Sequence, residues 1–113
     1  MSDVEQIELS MSQAKKLIER KDTLNRLFEH KDFKALIVEE YFNDEAVRLV
    51  HMMSDQSMAE YREQIIKNMD GISTLREWFR VVKQMGEAAE NELAEAQEEY
   101  IEALAEENMG EEV

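Results

Sequence analysis

The chain has no cysteine and no proline, and only three glycines and two histidines in 113 residues. Without cysteine there is neither a disulfide nor a thiolate metal site. His30 and His51 are too few to hold a metal without many carboxylates. With no proline and so little glycine, little in the chain forces a turn, and long helices are favoured. No apolar run approaches the ~20 residues of a membrane span. The start, Met1-Ser2-Asp3-Val4-Glu5, is acidic and lacks an apolar stretch, so it does not read as a secretory signal. Basic residues also stop early, for none follows Lys83.

That last absence leaves a lopsided charge. Residues 84–113 carry 11 acids and no base, whereas 1–83 carry 16 acids and all 13 Lys and Arg, so the acidic end supplies most of the net −14. Phosphate recognition is largely cationic, and anionic membranes attract basic segments. Direct nucleic-acid and membrane partners are therefore not expected. The length suits one domain. The expectation is a single helical domain over 1–107 and a frayed acidic tail over 108–113.

What is present reads as helix. In the first segment, about 4–29, Ile7, Met11, Ala14, Leu17, Ile18, Leu24, Leu27 and Phe28 recur at intervals of three and four. His30-Lys31-Asp32 reads as a break, with Asp32 as N-cap of a short helix from Phe33 to about Tyr41. Phe33, Ala35, Leu36, Ile37, Val38, Tyr41 and Phe42 make it apolar nearly all round, so it should sit between other elements. Leu36-Ile37-Val38 also fits a buried strand, but no second strand is there to pair with it. Asn43-Asp44-Glu45 reads as a restart, with Asn43 capping a third helix to about Met53. Ala46, Val47, Leu49, Val50 and Met53 are its expected buried side. Ser57 with Glu60 reads as a capping box.

From Met58 the pattern is long. Ile65, Ile72, Phe79, Gly86, Leu93 and Tyr100 lie seven apart, and Asn68, Leu75, Val82, Ala89, Ala96 and Ala103 fall three after each. A 3-4 repeat held over six heptads is the spacing of a coiled-coil seam. Asp70-Gly71 leaves two options, a turn or an unbroken helix. Gly86 suits close approach of another backbone. The seam is bulky up to Val82 and slim beyond Gly86. Ile7, Ala14, Lys21 and Phe28 of the first helix offer an antiparallel mate. The expected fold is all-α, a helical bundle or hairpin with a long N-terminal helix, two short helices and a long acidic C-terminal helix. Its expected core is Phe33, Ile37, Tyr41, Phe42, Ile65, Ile72, Leu75, Phe79 and Val82.

Chemistry is sparse. There is no nucleophile elbow, phosphate-binding glycine loop or Cys/His cluster. A helical di-metal site needs Glu-x-x-His on two helices, and the residue three before His51 is Arg48. No catalytic residue, cofactor site or metal ligand is assigned, and the chain reads as a non-enzyme. Trp78, beside Arg76 and Arg80, reads either as the edge of the core or as a binding patch. Leu93, Ala96, Tyr100 and Leu104 are candidates to meet a protein partner, a second copy included. The acidic face of Glu90, Glu95, Glu98 and Glu102 has three readings: a solvated surface, a dock for a basic protein, or a mimic of nucleic acid.

Lys31-Asp32-Phe33-Lys34-Ala35-Leu36-Ile37, followed by Tyr41-Phe42 and Glu45-Ala46-Val47-Arg48-Leu49-Val50, resembles a recurrent pattern in small helical proteins of tailed bacteriophages. Ile65 to Leu75 looks like that family's continuation and Gly86 to Glu90 like its acidic final helix. The resemblance covers about residues 10–100. It implies a virion-associated or assembly-related protein, found in the host cytoplasm during assembly or in the particle. The alternative is an acidic inhibitor of a host nucleic-acid-binding or defence protein.

Overall fold

The computed structural model describes residues 2–111. Helix α1 (Asp3–Glu29) is followed by α2 (Lys31–Phe33), a π-wound segment (Lys34–Glu45) and α3 (Ala46–Ser54); a 3-10 segment (Gln56–Tyr61) then leads into α4 (Arg62–Glu111). The fold is all-α, with no strand among the described residues. Leu36-Ile37-Val38 is accordingly helical. Asp70-Gly71 lies inside α4 without a break.

Two interruptions divide the chain, and neither uses glycine or proline. His30 and Asp55 each adopt extended backbone, with φ/ψ of −68/124 and −87/115 degrees. His30 Nδ1 accepts the Asp32 N–H at 3.3 Å. Asp55 Oδ1 accepts the Ser57 N–H at 2.9 Å and its hydroxyl at 2.7 Å. These side chains satisfy donors that a helix start leaves unpaired. Asp32 and Ser57, expected as caps, are instead the donors, two residues downstream of the true caps. α1 opens in the same way, with Ser2 Oγ accepting the Glu5 N–H at 3.2 Å.

The restart expected at Asn43 does not occur. Residues 31–54 form one helical run, and the Asn43 side chain donates to Asp44 Oδ1 at 3.5 Å rather than capping. The expected pair of short helices is thus one element. At the far end α4 continues to Glu111, beyond the expected stop at about 107. Residues 112 and 113 of the expected tail lie outside the described residues.

The chain groups into two compact units. The unit spanning 24–81 is built on bulky side chains. Leu49, Ile65 and Ile72 are buried together, with Tyr41, Phe42, Ala46, Met52, Met53, Met58 and Met69 packed around them. Phe79 sits edge-on to Phe28 at 5.3 Å and to Phe33 at 6.0 Å, with Phe42 tilted against it at 6.0 Å. Phe28 and Phe33 meet at 5.1 Å. Such edge-to-face pairs add to the burial of the rings. Of the expected core, Ile65 and Ile72 are buried, while Phe33, Ile37, Tyr41, Phe42, Leu75 and Phe79 are half-buried.

One face of the 31–54 run remains open. Leu36 is 58% exposed, Val47 49% and Val50 52%, although all three were expected to be covered. Ala35 is exposed as well. The winding explains part of this. π turns bond i to i+5 and so hold more residues than an α turn. The covered positions Phe33, Ile37/Val38, Tyr41/Phe42 and Glu45/Ala46 accordingly step by four and five, leaving the others outside. In α3 only Leu49 is buried. Leu27 and the seam residue Asn68 are also exposed, against expectation.

The unit formed by 2–23 and 82–111 is slim. Its buried side chains are Ala14, Val82, Ala89 and Ala96, and Gly86 is buried with them. Glu8 meets Tyr100 while Lys21 meets Glu90, so these stretches of α1 and α4 run antiparallel. Ile7, Ala14 and Lys21 all lie on the covered side of α1, as their spacing predicts. Gly86 answers to close approach. A Cβ there would overlap the Cβ of Lys21 and lie 2.8 Å from its Cγ and Cδ.

Candidate interaction surfaces

In the slim unit, the positions expected to meet a partner are largely occupied by the chain itself. Ala96 is buried, and Leu93, Tyr100 and Leu104 are half-buried. The Tyr100 hydroxyl donates to Glu8 Oε1 at 3.2 Å, and the adjacent carboxylate raises the phenol's pKa above its ordinary value. Lys21 donates to Glu90 in an ion pair, which raises the lysine's pKa. Arg20 reaches Met85, its guanidinium 3.3 Å from the sulfur. Glu90 therefore serves α1, whereas Glu95, Glu98 and Glu102 face outward.

A shallow groove lies along one flank of this unit. Asp3, Glu99, Glu102 and Glu106 border it, with Ile7 and Ala103 on its floor and no base in its lining. Of the four glutamates singled out from sequence, only Glu102 reaches it. Asp3 brings a carboxylate from α1 that helix periodicity within α4 cannot reveal. The opposite flank carries Lys15 and Lys16 beside Glu8 and Glu19.

In the bulky unit, Trp78 is 51% exposed. Arg80, two residues on, forms a two-pronged pair with Glu77, Nε donating at 2.9 Å to Oε2, which lowers the glutamate's pKa. Arg76 lies 5.7 Å from the Phe42 ring centroid, a cation–π distance. Arg76 and Arg80 are thus both engaged inside the unit. Arg48 likewise grips Glu45, at 2.8 Å and 2.5 Å, and holds its pKa down. A second groove, lined by Leu36, Ile37, Tyr41, Glu40 and Glu45, opens along the π-wound segment.

No group of three or more His, Asp or Glu converges to hold a metal among the described residues. Among the described residues no helix is long and apolar enough to cross a membrane. No protein-family model matches the chain, and neither a curated protein nor a solved structure does. Two surfaces stand out by chemistry, the open apolar face of 31–54 and the acidic flank of the slim unit.

Proposed function

We propose that this chain is a non-enzymatic structural or assembly component of a phage particle and acts through helix packing. One observation carries the reading. The 31–54 run buries Leu49 and half-buries Tyr41 and Phe42, yet holds Leu36, Val47 and Val50 in solvent. Uncovered apolar side chains on a helix with an apolar opposite face suit burial against another protein. The same segment carries the resemblance to helical phage proteins. The partner is a virion protein or a second copy, met in the host cytoplasm during assembly and retained in the particle. Light scattering across a concentration range, with proteomics of purified particles, tests this. A mass that rises with concentration, or the chain's presence in particles, supports it. A strict monomer absent from particles overturns it.

The acidic groove favours a second reading, an inhibitor that offers carboxylates to a basic host protein. Reversing charge at the groove's Glu99, Glu102 and Glu106 separates the two. An inhibitor loses its target, with a strong salt dependence. A packing protein keeps its partner.

A further inference from the structure

The slim unit poses a problem of alignment. Most of its fully buried side chains are alanines, Ala14, Ala89 and Ala96, and Ala89 and Ala96, a heptad apart on α4, present much the same surface after a one-heptad slip. Small residues of this kind specify register poorly, and toward the far end the Tyr100–Glu8 bond is another side-chain contact tied to it. Lys21 breaks the sameness. Its stem crosses Gly86, where any side chain would collide, and its ammonium pairs with Glu90. Only 13% of the Lys21 side chain is exposed.

We infer that Lys21, seated in the gap at Gly86 and paired with Glu90, is the key that fixes the register of α1 on α4. Both one-heptad slips fail. Sliding toward the end of α4 sets the stem against Leu93 and offers the ammonium Gln97, which carries no charge. Sliding the other way brings the ammonium to Lys83, a like charge. Only the observed register supplies both the gap and the carboxylate. A single polar residue in a helical seam commonly specifies alignment in this way.

The chain has no cysteine, so two spin labels can be placed uniquely, through Glu5→Cys and Asn91→Cys. A one-heptad slip moves one label past the other by about 10 Å along the axis. The labelled parent should give one distance. Lys21→Ser should add a second, with the slipped population raised at least tenfold, and Gly86→Leu should do the same by filling the gap. If Lys21→Ser keeps the parent's single distance, the inference falls, whatever Gly86→Leu does. It falls equally if Lys21→Ser loses helix content by circular dichroism, because Lys21 would then be needed to fold rather than to align.

Discussion

The two units solve the same packing problem with different side chains. Unit 24–81 holds Phe28, Phe33, Tyr41, Phe42, Tyr61, Trp78 and Phe79, while Tyr100 is the sole aromatic of the other. The first has 11 acids and 8 bases, and the second has 16 acids and 5 bases over the full sequence. Bulky, nearly balanced packing draws on buried area and ring contacts. Slim, acidic packing draws on close backbone approach and a few polar contacts, with like-charge repulsion working against it. The first should therefore be broken by losing volume, and the second by gaining it.

The largest effect is expected from volume lost. Leu49 is 1% exposed and Ile65 2%. Leu49→Ala or Ile65→Ala should lower stability by about 2–4 kcal/mol, read by thermal or urea unfolding. Loss of under half a kcal/mol would show that the bulky core contributes little. Next comes volume gained. Ala favours a helix over Gly by about 1 kcal/mol, yet Gly86→Ala should destabilise by about 1–3 kcal/mol because its Cβ meets Lys21. Gly71→Ala should instead stabilise by about 0.5–1 kcal/mol, since its Cβ would meet only the Tyr41 hydroxyl at 3.7 Å. Opposite signs from one chemical change, measured by the same melts, are the sharpest form of the comparison.

Titration should separate the units in opposite directions. In the slim unit, the pKa values of Lys21 and Tyr100 are raised by Glu90 and Glu8. Their contributions are complete below the unfolded values, about 10, and are lost as pH rises through the folded ones. In the bulky unit, Glu45, Asp55 and Glu77 are lowered by Arg48, Ser57 and Arg80. Their contributions are present above about pH 4 and fade as pH falls through the depressed values. Amide-resolved NMR should show the slim unit loosening first in alkali and the 45–57 region first in acid. The reverse order would remove these contacts from the account. The smallest effect concerns the end of α4, which has no base in its last turn. Asn108→Lys should stabilise by a few tenths of a kcal/mol through the helix dipole, visible as a small rise in melting temperature.

Most of the seam was legible because heptad spacing depends little on local detail, with Asn68 the exposed exception. Ile65, Ile72, Val82, Ala89 and Ala96 are buried as their periodicity requires, and Gly86 takes a neighbour as its missing side chain suggested. The caps were misplaced because Asp32 and Ser57 belong to cap-forming residue types, and composition does not tell a cap's acceptor from its donor. His30, which the dipole places equally well at the end of a helix, gave no sign that it would cap the next one. The π winding of Lys34–Glu45 was invisible because a 3.6-residue template was laid over turns of another size. The acidic groove was half visible, since Asp3 joins it across two helices far apart in sequence.

The antiparallel arrangement of the slim unit also brings Asp3 and Glu106 to the borders of one groove. A short flexible tether from residue 111 back to residue 2 would therefore bridge a small gap. New ends opened at Asp55, in a turn held by one carboxylate, would give a circularly permuted chain with every helix intact.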